Sequence, residues 1–348
     1  DVRRPDELFA RLGRDANIGF GEAYLTGAWD APDLAGFLTV LAARLEHLVP
    51  KPLHAARAFV LPRIGRHDHG REEDTRRNIA HHYDLSNDLF ATFLDPTMTY
   101  SSAWFEEGDD LERAQLRKID ALLDLAGVGA GTRVLEIGTG WGALAIRAAS
   151  RGATVRSITL SEEQAELARA RVAAAGLADS VEVELCDYRA VSGEYDAVVS
   201  VEMIEAVGWR YWSAYFSTID RVLAPGGRVA IQAITMADHR MRATRDGATW
   251  ITKYIFPGGF LPSVEALDRT TREDTTLRLT GSTALGPHYA ETLRRWDEAF
   301  TAHADRVEEL GFDGDFRRMW HYYLEYCRAG FAAGYINVHQ LLFTRESA

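Results

Sequence analysis

The sequence predicts an α/β protein: a doubly wound, mostly parallel sheet with a small helical domain at its N-terminus. Three observations predict it. From Arg133 onward, short apolar runs alternate with helix-patterned segments, the order that builds a parallel sheet covered on both faces. The first run ends in a glycine-rich turn, Gly138-Thr139-Gly140-Trp141-Gly142, that opens a helix. Residues 1–62, by contrast, carry helical periodicity without strands, as in Asp33 to Leu48 with its Leu34, Phe37, Leu38, Val40, Leu41 and Leu45.

Taken in order, residues 63–77 (Arg63 to Arg77) mix charges and nearly lack apolar side chains, which marks a linker between the small domain and a larger one over 78–348. His67 and His69 are metal ligands in principle, but they sit in this solvated stretch, and no metal site is expected. Residues 78–118 are dense in aromatics and small polar groups and read as a lid over a site or as a helical cap, with a helix from Leu111 to Leu125. Strands follow at Arg133 to Ile137, Ala153 to Leu160, Val181 to Leu185, Tyr195 to Val201 and Arg228 to Ile234. Helices follow at Ala143 to Ser150, Glu162 to Ala175 and Tyr211 to Leu223, with Pro225-Gly226-Gly227 as a turn. The rhythm breaks over 236–285, read as an insertion that lines a pocket with Trp250, Tyr254 and Phe256; core packing is the other reading of those rings. Helical stretches from Ala290 to Leu310 and Phe316 to Ala333, then a strand Val338 to Phe343, close the chain.

Composition narrows the function. The 348 residues are 47% hydrophobic and 26% charged, ordinary for a globular enzyme with ample core. A net charge of −12 argues against nucleic acid as a partner and leaves any membrane contact to local patches. One such patch is a lip of Arg240, Arg242 and Arg245 beside Met236 and Met241, with an exposed loop as the alternative. No apolar run approaches the ~18 residues of a spanning helix. Cys186 and Cys327 lie far apart without metal or redox spacing, so free thiols in a reducing cytosol are expected. The first residue, Asp1, is not Met, so a trimmed or renumbered start is expected.

The glycine turn suits a nucleoside better than a pyrophosphate. Its spacing differs from G-x-G-x-x-G, and the lysine of a phosphate-cradling loop is missing. Glu136, two residues before Gly138, gives the turn the arrangement of S-adenosylmethionine (SAM) methyltransferases. From about Gly19 to Arg345 the chain resembles the cyclopropane-fatty-acyl-phospholipid synthases and the related mycolic-acid methyltransferases. The resemblance rests on His82-Tyr83-Asp84-Leu85-Ser86-Asn87-Asp88, Tyr100-Ser101-Ser102-Ala103, Leu135 to Gly142, Thr159-Leu160-Ser161 with Gln164, Met203-Ile204-Glu205, Ala224-Pro225-Gly226-Gly227 and Tyr322-Tyr323-Leu324. It implies a class I SAM-dependent methyltransferase with SAM over Gly138, Gly140 and Gly142. Tyr83, Tyr100 and Ser101 would close on the methionine part, Thr159 and Gln164 would take the ribose side, and Asp187 and Tyr188 would edge the adenine.

The chemistry implied by the resemblance is methyl transfer to a cis double bond of a lipid acyl chain, followed by proton loss from a carbocation. In the family a bicarbonate, held by a cysteine segment, a glutamate, a histidine, a backbone group and a tyrosine, is thought to take that proton. Glu205, Ile234 and Tyr323 keep their positions, whereas Ser102 replaces the cysteine and Gln232 the histidine. Glu202 stands where many members have glycine, so either Glu202 or Glu205 is expected as proton acceptor, with a hydrogen-bonding role toward the lid as the alternative for Glu202. Tyr322 reads as a core aromatic; His288 and Tyr289 either face the pocket or cap a helix. The combination of Ser102, Glu202 and Gln232 resembles most the actinobacterial branch associated with 10-methylene and 10-methyl stearic acids, with cyclopropane formation as the alternative product. A membrane phospholipid as substrate, a separate flavin or NADPH reductase, a homodimer and a cytoplasmic, membrane-peripheral location are what that likeness implies for partners and place. A small-molecule methyltransferase and a non-catalytic SAM-binding regulator are the competing classes.

Overall fold

The computed structural model describes residues 1–48, 85–245 and 247–345. The expected linker over 63–77, the domain limit at 62, and His67, His69 and Tyr83 lie outside the described residues. A seven-stranded sheet organises the chain in the order β3-β2-β1-β4-β5-β7-β6. Its strands are β1 (Arg133–Ile137), β2 (Thr154–Thr159), β3 (Val181–Leu185), β4 (Tyr195–Val201), β5 (Leu223–Met236), β6 (Leu277–Ala284) and β7 (Ile336–Arg345). Pairings from β3 through β5 are parallel, and only β7 runs antiparallel to its neighbours. The central strands β1 and β4 are covered on both faces, because helices Ala143–Ser150 and Trp212–Val222 bury their apolar sides against opposite faces of the sheet.

Three segments differ from the sequence reading. The Pro225-Gly226-Gly227 turn lies inside β5 as a bulge: Tyr195 pairs with Leu223, and the next pair is Ala197 with Arg228. A Cβ on Gly227 would sit 2.9 Å from the Asp196 carbonyl, so the bulge closes tightly on β4. Residues 236–285 are not a pure insertion. Helices Asp238–Thr244 and Trp250–Tyr254 belong to it, but helix Val264–Asp274 is the crossover to the edge strand β6. That strand was illegible because five of its last six residues face outward or are half-exposed polar groups and glycine, leaving no alternating pattern. The expected Ala290 to Leu310 helix is interrupted at His303 into Gly286–Ala302 and Ala304–Glu309.

The N-terminal helices, Pro5–Leu25 (kinked at Ala16, φ +49°) and Leu34–Leu48, do not enclose a core of their own. Leu8, Tyr24, Trp29, Leu34 and Leu38 share one hydrophobic cluster with Trp296, Trp320 and Tyr322 of the C-terminal helices Gly286–Ala302 and Gly314–Ala332. Polar contacts fix the join. Arg318 lies 3.8 Å over the Tyr24 ring and donates to the Tyr24 carbonyl at 2.8 Å, and Glu325 accepts the Ala35 N–H at 3.2 Å. The first 48 residues therefore fold onto the larger domain.

Candidate active site

Parallel strands deliver their loops to one end of the sheet, and the cleft lies there. β1 ends in the glycine turn, where Gly138, Gly140 and Gly142 all take positive φ (99°, 50° and 88°). A Cβ on Gly138 would meet Met203 at 2.8 Å, whereas one on Gly140 would meet nothing within 4 Å and would project into the cleft. Gly142 is set back as the N-cap of helix Ala143–Ser150. Glu136, Thr159, Gln164, Asp187 and Tyr188 line the same cleft, as do Tyr100, Ser101 and Glu202. Around it, Thr159 Oγ1 donates to Gln164 Oε1 at 3.2 Å, Asp187 caps the turn Tyr188–Ala190, and Tyr188 packs edge-on to Tyr215. The cofactor residues expected from the sequence, Tyr83 and the set-back Gly142 apart, thus border one space. Its glycine floor leaves room for a ligand to lie on the backbone, which fits SAM.

Glu136 is enclosed, accepting from Ser157, and burial pushes its carboxyl up to about 8. The described part of the lid is a fixed strap. Arg171 donates to the carbonyls of Thr97 (2.8 Å) and Pro96 (3.0 Å), Gln115 to that of Ser101 (2.8 Å), and Trp141 Nε1 to Asn87 (2.7 Å). Tyr100, Ser101 and Ser102 are thereby held across the mouth of β4.

Glu202, directly after β4, is the hub. Its φ is +50°, a left-handed conformation natural to the glycine that family resemblance puts there and costing a glutamate about 1 kcal/mol or more. Oε1 accepts from the Ser102 N–H at 2.9 Å and from Gln232 Nε2 at 2.9 Å; Oε2 accepts from the Tyr289 hydroxyl at 2.6 Å. Burial raises its pKa against the pull of those donors. Glu205 sits one turn on in helix Ile204–Val207. Its Oε1 accepts the Ile234 N–H at 2.5 Å, while Oε2 is buried without a hydrogen-bond partner among the described residues. Burial first, and the Glu202 charge second, push Glu205 up to about 8. Tyr323 shares a 2.7 Å hydroxyl–hydroxyl bond with Tyr100, whose ring stacks on Trp296 at 5.2 Å. Phe256 stands edge-on to Tyr323, 6.0 Å between ring centres.

Of the five groups that the resemblance assigned to bicarbonate, four are already bonded within the protein, and Glu205 alone keeps an oxygen open among the described residues. Ser102 Oγ donates to the Ala103 carbonyl, the Gln232 amide is bonded at both ends, the Ile234 N–H is taken by Glu205, and Tyr323 by Tyr100. Two of the donors converge on Glu202 instead.

Other expected residues lie elsewhere. Trp250 is fully buried against Gly21 and Tyr322, so it packs the join between the N-terminal and C-terminal helices and does not line the cleft. Tyr254 donates to Glu22 at 2.7 Å, beside the Lys253–Glu22 ion pair at 2.5 Å. Tyr289 reaches Glu202 with its hydroxyl while its ring stacks on Phe331 at 4.4 Å. Around the expected lip Met241 is buried, while Arg242 and Arg245 stay exposed; Arg240 lies over Tyr335 (4.3 Å), Arg245 over Trp209 (4.4 Å), and Arg242 pairs with Asp238 (2.7 Å). Three buried polar residues at or behind the cleft escaped the sequence reading: Lys118, which lines it, and Gln115 and Gln340, which bond the strap and Gln232. Each is a polar side chain on the buried face of its element, Lys118 and Gln115 in line with Ala114, Ile119 and Leu122, and that misfit was the available signal.

The sequence pattern of the mycolic acid cyclopropane synthetase family matches residues 70–341. The chain is 56% identical over 354 aligned positions to the tuberculostearic acid methyltransferase UfaA1 of Mycobacterium tuberculosis, covering 99% of this chain and 83% of that one. It is 35% identical to the cyclopropane-fatty-acyl-phospholipid synthase of Escherichia coli, covering 99% and 87%. Among solved structures, the cyclopropane synthase MmaA2 from Mycobacterium tuberculosis superposes with a TM-score of 0.72 at 32% identity, over 79% of this chain and 99% of that one. CmaA1 complexed with SAH and CTAB superposes at 0.71 with 32% identity, over 77% and 97%. Fold, glycine cradle and sequence agree that the chain belongs to the mycolic acid cyclopropane synthetase family of SAM-dependent methyltransferases.

Proposed function

We propose that the chain methylates the cis double bond of an unsaturated phospholipid acyl chain and releases a 10-methylene acyl product, with Glu202 as proton acceptor. The observation that carries this reading is the enclosed Glu202 carboxylate, whose oxygens meet three donors and which stands on a backbone conformation suited to glycine. SAM supplies an electrophilic methyl group when bound. Gly138 and Gly140 seat it, Thr159, Gln164 and Asp187 border its nucleoside end, and the strap over Tyr100 and Ser101 excludes water. The π electrons of the alkene form the new carbon–carbon bond, leaving a cation on the neighbouring carbon. A hydride shift moves the charge to the methyl-bearing carbon, and Glu202 takes a proton from that methyl to leave an exocyclic methylene. Aromatic faces of Tyr100, Tyr323 and Phe256 suit a transient cation in a dry site. The 56% identity to a tuberculostearic acid methyltransferase supports this product over ring closure.

Saturating that methylene needs a reductant, so a separate flavin or NADPH reductase belongs to the proposal. A homodimer and peripheral contact with the cytoplasmic face of a membrane are proposed on the resemblance. Among the described residues no helix is long and apolar enough to cross a membrane. The test is mass spectrometry of phospholipid acyl chains from cells given the protein without a reductase. Acyl chains one carbon heavier with an exocyclic methylene are expected, and none with Glu202→Gln. A cyclopropane product refutes the branch, full turnover by Glu202→Gln refutes the acceptor, and unchanged lipids point to a small-molecule substrate.

A further inference from the structure

Two backbone carbonyls fix the polar groups around Glu202. The Lys118 carbonyl accepts from Gln340 Nε2 at 3.0 Å, and the same nitrogen reaches Gln232 Oε1 at 3.2 Å. Gln232 must then turn its Nε2 to the Ser102 carbonyl (3.3 Å) and to Glu202 Oε1 (2.9 Å). With the Ser102 N–H and the Tyr289 hydroxyl, each group bonded to Glu202 is a donor. That setting suits an ionised carboxylate. Yet the carboxylate is enclosed, and a buried charge without a counterion is costly by several kcal/mol.

The opposite charge stands across a single dipeptide. Lys118, fully buried on helix Leu111–Ala126, lines the cleft and donates from Nζ to Ser101 Oγ at 2.5 Å. Lys118 grips Ser101 by its hydroxyl, and Glu202 grips Ser102 by its amide. The other titratable groups facing the pair are Glu205 and Tyr289 on the Glu202 side and Asp95 on the Lys118 side. Burial brings Lys118 down to about 8 against the pull of Glu202 and Asp95, so it stays charged at neutral pH.

We infer that Lys118 is the countercharge of the proton acceptor: its ammonium, anchored on Ser101, keeps Glu202 a carboxylate until the methyl proton arrives. The inference rests on the reading of Glu202 as the base. Lys118 touches no reacting atom; it is a positioning residue that acts through the charge of Glu202. Once Glu202 has accepted the proton, the ammonium is left without its partner, which favours release of that proton and resets the site.

The test is the pH dependence of turnover by the full chain on SAM and vesicles of oleoyl phospholipid. Wild type, Lys118→Met, Lys118→Gln, Lys118→Arg and Glu202→Gln are compared, each with a thermal melt. Glu202 works only ionised, so turnover falls as acid protonates it. Losing the ammonium moves that fall to higher pH by about one unit, roughly tenfold slower on the acid side, converging with wild type in alkali. Lys118→Gln keeps a hydrogen bond to Ser101 without the charge and is expected to shift as Lys118→Met does, while Lys118→Arg keeps the wild-type profile. Equal slowing at every pH overturns the inference, as does a raised KM for SAM with an unmoved profile, which would place the charge on the cofactor's carboxylate. If Glu202→Gln keeps wild-type turnover, the base itself is refuted; if it is inactive while the Lys118 profiles stay put, only the countercharge is.

Discussion

Replacing Tyr289 by Phe removes one hydroxyl from Glu202 and leaves the aromatic ring in place. The ring's stacking on Phe331, 4.4 Å between centres, does not depend on that hydroxyl. What is lost is a 2.6 Å bond to Oε2 of an enclosed carboxylate. Such a charge-assisted bond contributes about 1.5–3 kcal/mol. At 1.36 kcal/mol per unit, the Glu202 pKa rises by about one to two units. Burial already pushes it up, and the Tyr289 hydroxyl heads the groups that pull it back. Since the acceptor must be ionised, Tyr289→Phe moves the acid limb of turnover to higher pH and leaves alkaline turnover near wild type. The assay is kcat and KM for the lipid across that range. An unmoved limb together with a raised lipid KM would show that Tyr289 touches the acyl chain, as the sequence reading allowed, and would refute the geometric reasoning.

Glu136 and Glu205 both hold their protons far above the ordinary glutamate range because the fold buries them, and both are raised to about 8. The unfolded chain releases those protons near pH 4.5 and the folded chain near 8, so stability falls as pH rises through that window. The melting temperature of the ligand-free chain is expected to drop from acid to neutral pH, and Glu136→Gln to flatten part of that drop; a flat wild-type curve would contradict it. Trp250→Ala is expected to cost about 3–5 kcal/mol of stability by emptying the join with the N-terminal helices. SAM affinity, measured by titration below the melting temperature, is expected to stay unchanged; a large loss of affinity would return Trp250 to the pocket.

Much of the site was legible because its signals are local. A strand ending in Glu136 and three glycines at alternate positions define the cradle through backbone conformation, which needs no distant partner. Strands β1 and β4 were bounded correctly because strands buried on both faces read as continuous apolar runs, and β3 because one face is buried and its residues alternate. The strand β6 stayed hidden because an edge needs few apolar residues. Trp250, Tyr254 and Phe256 look alike as an aromatic cluster, but although the Trp250 and Tyr254 rings touch (5.2 Å), the three serve different neighbours. Trp250 goes into the core, Tyr254 to Glu22, and Phe256 alone meets Tyr323. Of the expected membrane lip, Met241 went into the core, whereas Arg242 and Arg245 remain at the surface.

The amino-acid order by itself determined the doubly wound sheet, the nucleoside cradle at the end of β1 and the family, because hydrophobic period and glycine spacing act over a few residues. Only the tertiary structure decided what surrounds Glu202. Ser102, Lys118, Gln232, Tyr289 and Gln340 come from a strap, two helices and two strands spread over more than 200 positions. The energies that bind them depend on distance and on the exclusion of water, and neither exists until the chain has folded around them.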